Sequence, residues 1–288
     1  MNWKKILPGL FFCFVCSQSI FGAVVHDTVY INKGELITID TNYYAFYAFN
    51  ESPDFVATNN RINLAVGDSI YLAVVNTDTE NHGFDVKNTT DYDVEILPGD
   101  TVEVPMLFSE PGAYIFYDHL DYPKYRYLGL GATITVDNFD GDQFFWNIKD
   151  HLGDWNDSLD GGYTVDWSMY YPDYFTINGF SNPLINDDPY ARVAGAVGET
   201  MRIYITNTGQ GTHSLHFHGY HLEIIYSSKN SSHEGRVKDT FPIESMETLI
   251  LELVPDKTGE YPVHDHNLVA VSGGNIYPNG MFLTMLIE

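Results

Sequence analysis

Cysteine is almost missing from this sequence. The chain has 288 residues and two cysteines, Cys13 and Cys16, both near its start. Beyond residue 16 it offers no disulfide, nucleophilic thiol, zinc–cysteine site or thiolate-bound copper. Basic residues are scarce as well: Lys and Arg number 14 against 39 Asp and Glu, a formal charge of −25. A surface this acidic repels phosphate backbones, which excludes nucleic acid as the main partner, and it draws cations. Long apolar runs are lacking too. The longest early run, 6–16, is too short to span a membrane, and no later segment is long enough. Helical periodicity is weak throughout. With 44% hydrophobic and 18% charged residues, disorder is excluded as the main state.

The start of the chain reads as an export signal. Lys4 and Lys5 precede the apolar run, and the small residues Ser17, Ser19, Gly22 and Ala23 follow it. Residues 1–23 are thus expected to be a signal peptide, and the protein secreted or periplasmic. Aromatic residues make up 15%, with 21 Tyr and 18 Phe. Short runs rich in Val, Ile, Tyr and Thr occupy 69–75, 101–107, 114–117, 132–136, 201–206 and 248–254, with Gly, Pro, Asn and Asp between them. This is the pattern of an all-β sandwich or barrel.

The chain also repeats itself. Gly67-Asp68-Ser69-Ile70-Tyr71 followed by Asn76-Thr77 matches Gly198-Glu199-Thr200-Met201-Arg202 followed by Asn207-Thr208, and the same register carries His82 onto His213. Further on, Gly112-Ala113-Tyr114-Ile115-Phe116-Tyr117-Asp118-His119 matches Gly259-Glu260-Tyr261-Pro262-Val263-His264-Asp265-His266. The second copy carries an insertion around 227–239. Two homologous domains are expected at 24–138 and 171–288. The connection, 139–170, holds Trp146, Trp155 and Trp167 and is too aromatic for a free linker.

Histidines form the one concentrated chemical feature. Of eleven, His26, His151 and His233 lie in polar or terminal contexts and read as solvated. His213, His216, His218 and His221 crowd one stretch, and His264-Asp265-His266 follows near the C-terminus. In strands alternate residues share a face, so His216 and His218 point one way and Phe217 the other; His264 and His266 likewise oppose Asp265. Two such pairs on neighbouring strands can converge imidazoles on copper, zinc or iron.

His213-x-x-His216-x-His218-Gly219 resembles the third copper motif of multicopper oxidases, and His264-Asp265-His266 resembles their fourth, His-Cys-His. Tyr174-Phe175-Thr176-Ile177-Asn178-Gly179 and Gly198-Glu199 are similar to the start of a family domain, and the two-domain length is similar to that of copper nitrite reductases. The resemblance implies two tandem cupredoxin-like Greek-key β-sandwich domains and copper as cofactor. It also exposes departures. Asp265 stands where the family has its type 1 copper cysteine, and Asp118 stands at the equivalent place in domain 1. His82-x-x-Asp85-x-Lys87 resembles the first nitrite reductase motif, with Asp85 at the proton-donating position and Lys87 in place of a copper-binding His.

From these residues we expect hydrogen-bonded pairs His82–Asp118 and His213–Asp265 in pockets that have lost type 1 copper. On the opposite face we expect metal held by His216, His218, His264 and His266, with His119 and Tyr117 supplied by a domain 1; the resemblance implies that this domain 1 comes from another subunit of a homotrimer. The expected function is a copper-binding protein, an oxidoreductase if a small-molecule reductant and dioxygen can reach the metal, with Asp85 the one catalytic candidate. A copper carrier that does not turn over and a metal-free interaction scaffold are the competing readings.

Overall fold

The computed structural model describes residues 22–89 and 92–288. Most of the expected signal peptide, including Cys13 and Cys16, lies outside the described residues. Among those described, no helix is long and apolar enough to cross a membrane.

The first half folds as β1 (Val24–Ile37), β2 (Tyr43–Asn50), β3 (Arg61–Leu64), β4 (Ser69–Asn76), β5 (His82–Val86), β6 (Val94–Ile96), β7 (Thr101–Leu107), β8 (Gly112–Tyr117) and β9 (Gly131–Val136), with helix α1 (Lys124–Leu128) before β9. They form two sheets, β2-β1-β4-β7 and β3-β9-β8-β5-β6. The alternation visible in the sequence sets the faces: Ile70, Leu72 and Val74 of β4 and Val104 and Met106 of β7 point into the core between the sheets.

The second half contains β10 (Asp142–His151), helix α2 (Gly153–Asp160), β11 (Tyr174–Ile177), β12 (Ala194–Gly195), β13 (Met201–Asn207), β14 (His213–Phe217), β15 (Leu222–Ser227), β16 (Val237–Lys238), β17 (Thr240–Ile243), β18 (Glu247–Leu253), β19 (Gly259–Asp265) and β20 (Phe282–Ile287). Its sheets are β11-β10-β13-β18-β15-β16 and β12-β20-β19-β14-β17. The architecture is therefore the all-β pair of sandwiches that the sequence implies. The repeat is structural as well: β1 runs parallel to β4, as β10 does to β13.

That parallel pairing moves one boundary. The stretch 139–170 is not only a connection, because β10 is a full strand of the second sandwich. Phe144, Trp146 and Ile148 point into the second core, while Phe145 faces the first sandwich and stacks on Tyr204 at 5.2 Å. Apolar Phe145, on the face that otherwise carries Asn147 and Lys149, interrupts the alternation that would have marked the strand. Trp155, Leu159 and Trp167 from the rest of this stretch pack on the first core.

The sandwiches meet through β8 and β9 of one against β13 and β18 of the other. Every residue of β9 is buried. Thr133 donates to Thr206 (2.8 Å), and Thr248 donates to the Ala113 carbonyl (2.8 Å). Arg126 of α1, almost wholly buried, donates to the carbonyls of Thr208 (2.9 Å) and Gly209 (2.6 Å) and to Gln210. Buried Lys149 donates to Gly131 O and Thr208 Oγ1. The sheet carrying β14 and β19 is thereby left on the far side from the chain's own first sandwich.

His151 corrects a sequence expectation. It is not solvated but 1% exposed, at the end of β10, between the rings of Phe46 and Tyr127. Burial, reinforced by Lys149, pushes its pKa down from 6.5 to about 3. In the unfolded chain it takes up a proton that the folded chain refuses, so stability falls as pH drops from 6.5 toward 3. The slope is at most ~1.4 kcal/mol per pH unit. His151→Leu should flatten that acid limb in urea titrations; an unchanged limb would show that His151 is not held neutral.

Candidate metal centre

The candidate ligands lie in one row across a sheet. β14 and β19 pair antiparallel with His216 opposite His264; His216 also faces Thr240 on β17, and His264 faces Phe282 on β20. Leu215, Phe217 and Val263 are buried in the core, so the histidines between them stand on the outer face. Their ring centroids lie 4.6 Å apart for His216–His218, 5.2 Å for His218–His264, 5.6 Å for His216–His264 and 5.5 Å for His216–His266. His218 Nε2 and His264 Nε2 approach to 3.0 Å.

Neighbouring oxygens fix the tautomers. His264 Nδ1 lies 2.8 Å from the Asp265 carbonyl, which can only accept, so Nδ1 carries the proton and Nε2 a lone pair. Thr240 gives its hydroxyl proton to Asp239 (3.0 Å), so it accepts from His216 Nδ1 at 2.9 Å, and His216 Nε2 is likewise left with a lone pair. In the metal-free chain His218 Nε2–H donates to His264. Burial, then the neighbouring His216 and His264, hold the His218 pKa below 6.5, which keeps it available as a neutral ligand. Carboxylate or carbonyl support behind a ligating imidazole is the arrangement that orients metal ligands. Among the described residues, no three His, Cys, Asp or Glu side chains close on one metal position; the tight element is the His218–His264 pair.

The inner face of the same strands carries a second constellation, and it occurs twice. In the second sandwich Asp265 Oδ2 lies 2.6 Å from His213 Nδ1, while Oδ1 accepts from the backbone N–H of Ser214 (3.2 Å) and Asn267 (2.7 Å). In the first, Asp118 Oδ2 lies 2.7 Å from His82 Nδ1, and Oδ1 accepts from Gly83 (2.8 Å) and Leu120 (2.9 Å). His82, Asp118 and Asp265 are fully buried and His213 nearly so. His82 has a second carboxylate, Asp78, 3.1 Å from Nε2. Asp150 stands 3.9 Å from His213 Nε2 and itself accepts from Gln210 and Gly211 N–H. Burial opposes charging either ring. The hydrogen bonds to Asp118 and Asp78, and to Asp265, outweigh it, so both histidines titrate above 6.5.

The remaining candidates sit on the first sandwich. Tyr117 donates to Asp85 at 3.0 Å, directly across β5 and β8. His119 contacts Asp93 through Nε2 at 2.7 Å; its Nδ1 is buried without a hydrogen-bond partner, against Gly83. Among the described residues, no hydrogen bond or ring contact links His119 to the histidines of β14 and β19. Lys87 donates to the Met246 carbonyl across the domain boundary, and burial lowers its pKa. His26 stacks on Tyr71 (5.2 Å), and His233 lies in an exposed turn.

Sequence reasoning missed Thr240, Asp78 and Asp150. Asp78 had a local signal, four residues before His82. Thr240 and Asp150 had none, because strand register and the parallel β10–β13 pairing place them.

The multicopper oxidase family model matches residues 166–286. No curated protein matches the chain by sequence. Among solved structures, the chain is similar to a blue copper oxidase from Nitrosomonas europaea, with 18% identity and TM-score 0.80 over 92% of this chain and 86% of that one. A copper nitrite reductase from Nitrosomonas europaea gives 16% identity and TM-score 0.71 over 92% and 94%. A laccase from Botrytis aclada gives 14% and 0.70 over 92% and 53%. At these identities the likeness establishes a shared fold.

Asp118 satisfies a buried ring and two backbone donors at once, so its loss is expected to be costly. Asp118→Asn should destabilise the chain by about 3–5 kcal/mol in urea unfolding. A loss below ~1 kcal/mol would mean that the carboxylate is not what holds this pocket.

Proposed function

We propose, for a chain whose residues 166–286 match the multicopper oxidase family, that the outer face of β14 and β19 binds copper through His216, His218, His264 and His266. The observation that carries this reading is the 3.0 Å approach of His218 Nε2 to His264 Nε2, with the Nδ1 protons of His264 and His216 committed to oxygen acceptors. Two imidazole nitrogens bound at ~2.0–2.1 Å to one ion stand about 2.9–3.4 Å apart, so the pair fits a shared metal.

The remaining donor is proposed to be His119 of a second copy. The chain's own first sandwich covers β13 and β18, so the β14–β19 face is open to another molecule, and a homotrimer would close three such sites at once. Asp85 Oδ2, held by Tyr117, would border the completed site and could take or return a proton there. Copper at this face would supply a one-electron couple open to a small-molecule reductant, with dioxygen as final acceptor. No cysteine lies beyond residue 16, and Asp118 and Asp265 fill the places of the type 1 thiolate, so electrons would have to enter directly. The same substitutions support a second reading, a copper carrier without turnover. Export by residues 1–23 is part of the proposal.

Metal analysis with a visible spectrum tests it. Copper-loaded protein should hold stoichiometric copper without an intense thiolate-to-copper band. His218→Ala with His264→Ala should bring copper to background. Thr240→Val should weaken binding roughly 10–100-fold with the fold intact, since it removes the acceptor behind His216. Sedimentation should show a trimer whose copper content drops in His119→Ala. Oxygen uptake with an added reductant separates oxidase from carrier. A double variant that keeps its copper would sink the assignment.

A further inference from the structure

A cleft of about 690 Å³ opens between the end of β1 and the 55–58 loop on one side and β11 with the 179–184 loop on the other. Its volume is that of a small-molecule site. Leu36, Ile39, Phe55, Ala57 and Phe180 make the wall largely apolar, while Ile37, Val56 and Leu184 are 62%, 55% and 50% exposed at the rim.

The polar groups of the wall narrow what could enter. Thr38 donates to Asp40, Thr58 to the Asn178 carbonyl, Tyr174 to Asp40 and Ser181 to the Phe175 carbonyl. Thr176 differs from them. It lines the cleft and is 3% exposed, yet its Oγ1 has no hydrogen-bond partner. Strand alternation explains its direction: Phe175 and Ile177 face the second core, so Thr176 turns the other way with Tyr174. A buried hydroxyl left unpaired is unfavourable, and a ligand group that reaches it removes that penalty. The one charged residue on the wall is Glu35, and the chain as a whole is strongly acidic, so an anion is disfavoured.

We propose that this cleft binds an uncharged, mainly apolar small molecule that carries one hydroxyl-like group, paired with Thr176 Oγ1. None of the residues lining it is among the proposed copper ligands.

Calorimetry with three probes of one skeleton tests it: 4-phenylbutanol, butylbenzene and 4-phenylbutyrate. The alcohol should bind about tenfold tighter than the hydrocarbon, and the carboxylate weakest. Thr176→Val, close to isosteric, should erase the preference for the alcohol while leaving hydrocarbon affinity, and should raise the Tm of the ligand-free protein. Ala57→Trp should fill the cleft and abolish binding of all three. Equal affinity for alcohol and hydrocarbon in the unaltered protein, or a preference that survives Thr176→Val, would overturn the proposal. So would self-association abolished by Ala57→Trp, which would make the cleft an interface between copies.

Discussion

The histidine face exists because one carboxylate on the other side of the same sheet fixes the strands. Asp265 ends β19 and reaches back to the start of β14, taking the His213 ring on one oxygen and the N–H groups of Ser214 and Asn267 on the other. That ties the two strands in the register that sets His216 against His264. A slip of one residue would turn His216 and His218 into the core and Leu215 and Phe217 out to solvent. Asp118 performs the same operation on β5 and β8. Each of the two carboxylates thus acts as a strand clamp in its own sandwich.

The second constraint is which faces the two sandwiches spend on each other. β9, β13 and β18 are buried on both sides, one side to their own core and the other to the neighbouring sandwich. Arg126 and Lys149 add direct contacts across this boundary, to main-chain carbonyls that no strand partner satisfies. Because β8 and β9 dock on β13 and β18, the β14–β19 sheet keeps its outer face free. The position of the imidazoles relative to the rest of the chain follows from that choice of packing face rather than from the histidine motif.

Much of this was legible in the chain itself. The duplicated Gly-to-Asn and Gly-to-His stretches announced two copies of one unit, and the x-His-x-His spacing announced which side chains share a face. The pairing of His82 with Asp118 and of His213 with Asp265 could be anticipated because both members fall at matching places in the repeat. Three things could not be read. β10 was hidden because Phe145 puts an apolar ring on the face that otherwise carries Asn147 and Lys149, so Phe144, Phe145 and Trp146 looked like a sticky connection. His151, at the end of that strand, was misjudged with it. Thr240 and Asp150 act on histidines from other strands, and only tertiary pairing brings them there.

The paired clamps carry a consequence for how the molecule comes into being. In a pocket built for a metal, the last strands stay loose until an ion arrives to gather its ligands. In each pocket of this chain the ring leans toward the protonated state, with Asp118 and Asp78 around His82 and Asp265 against His213. The centre of each sandwich is therefore closed by a hydrogen bond within the chain, His82 with Asp118 and His213 with Asp265. Assembly of each sandwich needs only its own side chains, and the outer face of β14 and β19 is set by contacts internal to the chain.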